Sequence, residues 1–317
     1  MKKAIVVTTI TSALLAASAW TATAQEEKSV SLVLGSSGSP FYQAMQCGAK
    51  AKAKELGLSL TVSAADQFAA DAQIPVINAV TAAGPKVAAI VPTDMQALIP
   101  PMRELSTRGT KVITVDQTIA DTSFVHTQIL TDNEAGGGMA ADQIASLIGK
   151  TGKVLVITQP PGSLAQDARA AGFEKTLKEK YPQITFLGAQ YQSNDPQKAA
   201  EIVTSTLSAH PDLAGIFSTN DQGAIGAVTG LRQAGAVGRV KMVAYDAASA
   251  EVAALKKGDI QALIAQNPKL EGEVAMETAA KLIAGEKLQP VTMTEIVAIT
   301  SGNLELAKKY EYIADCM

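Results

Sequence analysis

Short apolar runs alternate with amphipathic helical patterns along most of the chain, and this alternation constrains the fold more than any other feature. Strands that alternate with helices of about 10–15 residues indicate parallel βαβ units, with helices on both faces of the sheet. Two such series follow one another, so the sequence predicts an α/β fold of two doubly wound, parallel-sheet lobes. The predicted strands are 30–34, 58–62, 87–91 and 111–115, then 153–157, 184–187, 214–217, 241–244 and 260–264. The predicted helices between them are 41–56, 71–83, 95–108, 166–180, 196–209, 223–233 and 249–256.

Residues 1–24 have the features of a secretory signal peptide. Lys2 and Lys3 form a positive start, residues 4–20 are mostly apolar, and Ala22-Thr23-Ala24 matches the A-x-A cleavage pattern. We expect cleavage after Ala24 and export to the periplasm; a buried helix of the mature fold is the alternative. No later segment carries the run of about 18 apolar residues that a membrane-spanning helix needs.

The two cysteines of an exported protein are candidates for a disulfide, because the compartment is oxidising. Cys47 lies in the first helical pattern and Cys316 is the penultimate residue. A bond between them would tie the C-terminal tail to the first helix, and two free thiols are the alternative.

Composition excludes several classes of function. The formal net charge is −3 and no Lys/Arg cluster follows the N-terminus, so we expect neither nucleic acid nor an anionic membrane surface as a partner. Two histidines and two cysteines leave little material for a metal centre, and we expect no metal and no cofactor. The glycine-containing segments 35–39 and 136–138 lack the Gly-Lys-Ser/Thr ending of a phosphate-binding P-loop.

Polar side chains follow the predicted strands at their carboxyl ends, where open parallel sheets bind their ligands. Amides, carboxylates and hydroxyls beside the aromatic rings of Phe41 and Tyr42 suit a neutral polyhydroxylated ligand. The hydroxyl groups of such a ligand donate and accept hydrogen bonds, and its C–H faces pack on apolar surfaces. These polar segments are 35–42, 92–94, 116–117, 159–163, 218–221, 245–246 and 266–267.

A set of short motifs adds a family resemblance. The motifs are Ser39-Pro40-Phe41-Tyr42, Val115-Asp116-Gln117, Thr131-Asp132-Asn133, Ala209-His210-Pro211-Asp212, Thr219-Asn220-Asp221, Tyr245-Asp246 and Ile264-Ala265-Gln266. In their order and spacing, the chain resembles the type I periplasmic sugar-binding proteins, the ribose-binding branch of ABC-importer receptors. The resemblance implies two lobes joined by a three-segment hinge, a sugar held between the lobes, and delivery to a membrane-embedded ABC permease. It implies ligand-binding residues at Phe41, Tyr42, Asp116, Asn220, Asp246 and Gln266.

Three positions depart from the ribose-type pattern. Gln117 stands where ribose and galactose-type receptors commonly have Arg, and straight counting places a second pocket Arg at Asp167. Asn194 precedes an Asp where ribose-type proteins have Phe. Losing two guanidinium groups favours a different aldose, a polyol, or a ligand with a cationic group over ribose. We expect Gln117, Asp167 and Asn194 to contact the ligand, with Arg169, Ser37 and Ser39 as possible further contacts.

Structural roles compete with ligand contact at several of these positions. Asp116, Asp246 and Asn220 could cap the helices that follow them, and Phe41 and Tyr42 could be core aromatics. The paired carboxylates could also perform glycosidase chemistry, so an exported carbohydrate-active hydrolase is the competing function. We expect a monomeric binding protein rather than an enzyme.

The resemblance also predicts the domain boundaries. The N-terminal lobe is expected at 25–131 plus 266–290, and the C-terminal lobe at 132–265 plus 291–300. A tail follows at 301–317. The crossings between lobes are expected near 130–132, 265–266 and 290–291.

Overall fold

Two six-stranded sheets, one in each lobe, form the framework of this computed structural model, which describes residues 28–312 and Cys316. The two α/β lobes confirm the predicted fold class. The signal peptide predicted for 1–24 lies outside the described residues. Within the part of the chain that the structure describes, no helix has both the length and the apolar character needed to cross a membrane.

The first sheet is parallel throughout. Its strands are β1 (Ser29–Leu34), β2 (Ser59–Ala64), β3 (Val87–Ile90), β4 (Lys111–Val115), β5 (Val125–Thr131) and β11 (Val291–Thr294), in the order β11-β5-β4-β3-β1-β2. Four helices of this lobe are α1 (Pro40–Leu56), α2 (Ala70–Ala83), α3 (Ile99–Thr107) and α9 (Pro268–Ile283). Because helices cover both faces, the central strands are continuous apolar runs, and every residue of β3 is buried.

The second sheet repeats this arrangement. Its strands are β6 (Gly152–Thr158), β7 (Ile184–Tyr191), β8 (Leu213–Ser218), β9 (Lys241–Tyr245), β10 (Ala262–Ala265) and β12 (Val297–Thr300), in the order β12-β10-β9-β8-β6-β7. Strand β12 runs antiparallel to β10, and the other pairs are parallel. The helices are α4 (Asn133–Leu147), α5 (Leu164–Lys180), α6 (Pro196–Ala209), α7 (Asp221–Gln233), α8 (Ser249–Lys257) and α10 (Ala307–Tyr310).

Local sequence explains where several helices begin. Helices α1, α6 and α9 each start with Pro, whose fixed φ and missing N–H suit the first helical position. The side chain of Asp195 caps α6 by accepting hydrogen bonds from Gln197 N and Lys198 N, and Asn267 caps α9 by accepting one from Leu270 N. These starts fix the length of the strand-to-helix loops that carry the polar residues.

Three crossings join the lobes before the C-terminal tail, and the third differs from the expected one. The first two lie between β5 and α4 and between β10 and α9. Residues Val291–Thr294, predicted in the C-terminal lobe, instead pair in parallel with Gln128–Thr131 of β5. They cover the edge of the first sheet, which would otherwise leave backbone N–H and C=O groups unpaired. The third crossing therefore lies between Thr294 and Val297 rather than at 290–291. The other lobe boundaries stay a prediction.

The C-terminal tail joins both lobes. Tyr310 packs into the core of the second lobe, whereas Tyr312 packs into that of the first, edge-on to the ring of Phe41. Cys316 forms a disulfide with Cys47 of α1, with 5.1 Å between the Cα atoms. The predicted disulfide is confirmed.

Candidate ligand-binding cleft

A cleft lies between the lobes and is lined by fourteen of the described residues. The carboxyl ends of strands from both sheets open into it, as the rule for parallel sheets requires. The first lobe contributes Ser39, Phe41, Tyr42, Phe68, Asp116 and Gln117. The second contributes Gln159, Gln166, Arg169, Asn194, Asn220, Asp221 and Asp246, and Gln266 comes from the second crossing.

Asp116 and Asp246 occupy equivalent positions in the two lobes. Each directly follows a strand, β4 or β9, and each has a left-handed backbone, with φ of 62° and 89°. Each backbone N–H donates to a neighbouring strand, Asp116 N to Ile129 O at 2.9 Å and Asp246 N to Ile264 O at 2.8 Å. A positive φ is uncommon for a residue with a side chain and is concentrated at functional sites, where surrounding structure enforces it.

Neither aspartate caps the helix that follows it in the chain. The carboxylate of Asp116 accepts a hydrogen bond from Tyr42 Oη, with 3.1 Å between Oδ2 and Oη. That of Asp246 accepts one from Gln266 Nε2 at 2.7 Å. Helix α8 begins after Ala248 instead. Both carboxylates therefore line the cleft, and the backbone N–H of Asp221 at the start of α7 also acts to lower the pKa of Asp246.

Aromatic rings form the first-lobe wall of the cleft. Tyr42 lies parallel to Phe68, with ring centres 6.1 Å apart and planes 2° apart, and edge-on to Phe41 at 5.3 Å. Phe41 and Tyr42 are also buried in the core of the lobe. The two roles weighed for them, core packing and cleft lining, therefore coexist.

Arg169 is the one cation among the described residues that line the cleft. Its side chain is 2% exposed, and its guanidinium lies 3.8 Å from the ring centre of Tyr245. Nε donates to Asn133 Oδ1 at 2.8 Å, and a terminal nitrogen donates to Thr219 O at 2.9 Å. These contacts fix the guanidinium in place before any ligand arrives.

Asp167 does not line the cleft, contrary to the expectation from counting. It lies in the first turn of α5, and its Oδ2 accepts a hydrogen bond from Gly162 N at 3.0 Å, within the preceding loop. Arg169, two residues further on, lines the cleft instead. Ser39 also lines the cleft, whereas Ser37 is exposed outside it.

The predicted amides lie together on the second-lobe side. Asn194 Oδ1 accepts hydrogen bonds from Gln159 Nε2 at 3.1 Å and from Asn220 Nδ2 at 3.0 Å. Asn220 also caps α7, because its Oδ1 accepts from Gly223 N at 3.0 Å. Capping and cleft lining are therefore compatible at Asn220. Gln266 Oε1 is buried with no hydrogen-bond partner among the described residues.

Carboxyl groups dominate the electrostatics of the cleft. Burial raises the pKa of Asp116 to about 6 and that of Asp221 to about 7, with repulsion by Asp246 adding to both. Burial also raises the pKa of Asp246. Burial acts to lower the pKa of Arg169, but attraction by Tyr245 and the carboxylates outweighs it, so the pKa is raised. Three carboxyl groups thus interact electrostatically with one guanidinium.

Four lining residues were missed by the candidate set. Gln159 and Asp221 lie in polar strand-end segments that the sequence already marked, so the same rule could have found them. Phe68 lies several residues beyond the end of β2, and Gln166 lies in the first turn of α5. Neither directly follows a strand, so the strand-end rule could not predict them. Among the described residues, no cluster of His, Cys, Asp or Glu could hold a metal ion.

Known proteins resemble this chain over nearly its whole length. Residues 30–287 match the family model of the periplasmic binding protein domain. The ribose import binding protein RbsB of Haemophilus influenzae is 30% identical over 300 residues, which cover 95% of this chain and all of that protein. The D-ribose/D-allose-binding protein of Pseudomonas aeruginosa is 28% identical, with 89% of this chain and 91% of that protein covered.

Solved structures agree with these relatives. An ABC transporter solute binding protein from Agrobacterium vitis, bound with alpha-D-tagatopyranose, superposes with a TM-score of 0.87 at 33% identity, covering 90% of this chain and 99% of that one. A solute binding protein from Actinobacillus succinogenes with bound D-allose gives 0.82 at 27% identity, covering 89% and 99%. These relatives are named as binding proteins and not as enzymes. With its two lobes and the cleft between them, the chain belongs to the periplasmic binding protein family, as a type I sugar-binding protein.

Proposed function

We propose that the cleft holds one small neutral sugar or polyol and that the chain delivers it to the membrane permease of an ABC importer. The observation that carries this proposal is the surplus of hydrogen-bond acceptors around the cleft. Asp116, Asp221 and Asp246 present carboxylate oxygens, and Gln266 Oε1 is buried without a partner among the described residues. A ligand with several hydroxyl donors would satisfy these oxygens without bringing a charge.

The aromatic wall supports the same ligand class. Phe41, Tyr42 and Phe68 offer apolar surface on which the C–H face of a sugar ring can pack. Ribose, allose and tagatose, named for the relatives above, combine such a face with several hydroxyl groups. That those relatives are called binding or import proteins supports a receptor over the exported hydrolase.

The departures from the ribose pattern support a ligand other than ribose itself. Gln117 and Asn194, which line the cleft, are amides where ribose-type receptors carry Arg and Phe. Asn194 replaces an apolar wall with a group that can bond a further hydroxyl. We therefore favour a sugar with more hydroxyl groups than a pentose. The contacts we propose are Phe41, Tyr42, Asp116, Gln117, Arg169, Asn194, Asn220, Asp221, Asp246 and Gln266.

A thermal-shift panel tests the proposed function. The panel contains D-ribose, D-arabinose, D-tagatose, D-allose, D-fucose, sorbitol and D-glucosamine. A sugar at 100 times its dissociation constant should stabilise the protein by about 2.7 kcal/mol. Stabilisation by D-glucosamine alone would favour the cationic ligand instead. A glycoside hydrolase would release nitrophenol from a nitrophenyl glycoside of the sugar that stabilises the protein most, whereas a receptor leaves that glycoside intact.

Processing and oligomeric state complete the proposal. We propose cleavage of the signal after Ala24 and a monomer in the periplasm. N-terminal sequencing of protein recovered from the periplasm tests the cleavage site, and light scattering tests the mass.

A further inference from the structure

Gln117 connects the two lobes directly. It is buried at the end of β4 in the first lobe, yet its Oε1 accepts a hydrogen bond from Ala165 N of the second lobe at 3.0 Å. Ser163 Oγ approaches the same oxygen at 3.4 Å. Close by, Met95 N of the first lobe donates to Gly162 O of the second at 3.2 Å.

The bond falls on the N-terminus of helix α5. Ala165 is the second residue of that helix, so its N–H has no partner within the helix. Ser163, the residue before the helix, is a type that usually satisfies such an N–H, but its side chain makes no capping bond here. The cap is supplied from the other lobe.

The side-chain amide of Gln117 can accept a hydrogen bond from α5 and donate one to a ligand at the same time. Its oxygen accepts from α5, its Nε2 makes no hydrogen bond to the described residues, and the residue is one of those that line the cleft. An Arg at this position could not act in the same way. A guanidinium has no acceptor, and a positive charge is unfavourable at a helix N-terminus.

We propose that Gln117 is a positioning residue that caps α5 across the cleft and so stabilises the closed arrangement of the lobes. Separation of the lobes removes the acceptor and leaves Ala165 N–H to water. Because Gln117 also lines the cleft, its free N–H groups are available to donate to a sugar. The same side chain would therefore stabilise the closed lobes and contact the sugar.

Amide hydrogen exchange at Ala165, in the free protein and with saturating D-tagatose, tests the cap. Because this N–H has no partner within its helix, its protection reports on Gln117. Gln117→Leu should exchange faster at Ala165 than the wild type, whereas Gln117→Glu keeps an acceptor and should stay protected. Gln261→Leu is the matched control, since Gln261 Oε1 accepts a hydrogen bond from Met242 N at 2.7 Å within the second lobe alone.

A second measurement uses D-tagatose and rests on the proposed function. Loss of a helix cap should speed D-tagatose dissociation about three- to thirtyfold in Gln117→Leu. Gln261→Leu should lower the melting temperature without changing that rate. Equal exchange at Ala165 in wild type and Gln117→Leu, both free and with saturating D-tagatose, would overturn the proposal. If D-tagatose does not bind, the proposed ligand class is in question, and the panel sugar that most stabilises the protein replaces it in the exchange comparison.

Discussion

Single residues at the strand ends set the chemistry of the cleft, and Asp246 is the clearest case for substitution. Asp246→Asn keeps the shape and, because Asn tolerates a positive φ better than most residues, keeps the backbone. Hydrogen bonds to a charged group contribute about 1.5–3 kcal/mol against about 1 for neutral pairs. We expect about tenfold weaker binding of the best sugar in the panel, measured by isothermal titration, with little change in unliganded melting. Asp195→Asn, at the start of α6 outside the cleft, should bind normally. Normal binding by Asp246→Asn with lower melting would assign Asp246 a structural role.

Asp221 predicts a dependence of stability on pH. Its pKa rises from 3.8 to about 7, chiefly through burial, so the folded state holds a proton that the unfolded chain has released. Stability from this group therefore falls as pH rises from about 4 to about 7, and the whole loss is present above that range. Asp221→Asn should raise the free energy of unfolding at pH 8 by about 1–4 kcal/mol, at about 1.4 kcal/mol per pKa unit. At pH 5 the gain should be smaller, and it should vanish below about pH 4, where the carboxyl is neutral in both the folded and the unfolded chain. A gain of equal size at both pH values would contradict this origin.

Most of the site could be predicted at the residue scale, and the exceptions have a physical cause. Asp116 and Asp246 follow buried strands, so local sequence alone places them at the ligand edge of a sheet. Arg169 lies within a helix, and Asn133, Thr219 and Tyr245 hold it in place. Those partners are distant in sequence, so counting through the loop selected Asp167 instead.

In both lobes, one pair of helices packs so closely that glycines are needed at the contact. In the first lobe, a Cβ on Gly48 of α1 would lie 2.0 Å from Lys269 O, and one on Gly272 of α9 would lie 2.0 Å from Met45 O. In the second lobe, Gly137 of α4 and Gly172 of α5 meet the backbone of the opposite helix in the same way. In each of these two helix pairs the backbones are in direct contact. In the second lobe, this contact fixes the orientation of α5, which places Arg169 in the cleft.

Gly48→Ala tests this packing. Ala is the better helix former by about 1 kcal/mol, but its methyl group would meet a backbone carbonyl that cannot move alone. We expect the variant to lose about 1–3 kcal/mol in urea unfolding, the usual cost of overpacking. Gly38→Ala is the control, since a Cβ there meets nothing within 4 Å. Equal stability of the two variants would mean that α1 and α9 can separate freely.

The elements themselves were only partly predictable. Three consecutive glycines at 136–138 resemble a loop in sequence, yet they lie inside α4, where Gly137 packs against the backbone of α5. Strand β11 carries no local signal of the lobe to which it belongs, because its partner β5 is far away in the chain. Tertiary contacts determine the structure of both segments, so the local sequence could not predict it. The alternation of strands and helices, in contrast, was evident from the local hydrophobic pattern.

The disulfide acts at the scale of the whole molecule. It joins residues 269 positions apart, and it anchors to the first lobe a tail whose Tyr310 packs in the second. The Cys47→Ser/Cys316→Ser double variant should lose about 2–5 kcal/mol in urea unfolding, mainly because its unfolded chain is less constrained. Wild-type protein unfolded with reductant should show the same loss. Unchanged stability in both would mean that the bond does not constrain the unfolded chain.

Entry of a ligand requires the lobes to separate, because Asp116 and Asp246 are each only 3% exposed across the closed cleft. The three crossings offer the pivot. Thr131 lies at the first crossing and Thr294 at the third, and both donate a hydrogen bond to Glu271 Oε1, at 3.0 and 3.3 Å. Glu271 lies in the first turn of α9, just after the second crossing. Hinge closure of this kind turns on a few residues at element ends while each lobe stays rigid. The radius of gyration from solution scattering should therefore fall when the best sugar of the panel is added at saturation. Asp246→Asn, at a sugar concentration that saturates only the wild type, should keep the larger radius. An unchanged radius in saturated wild-type protein would show that the cleft fills without closure of the lobes.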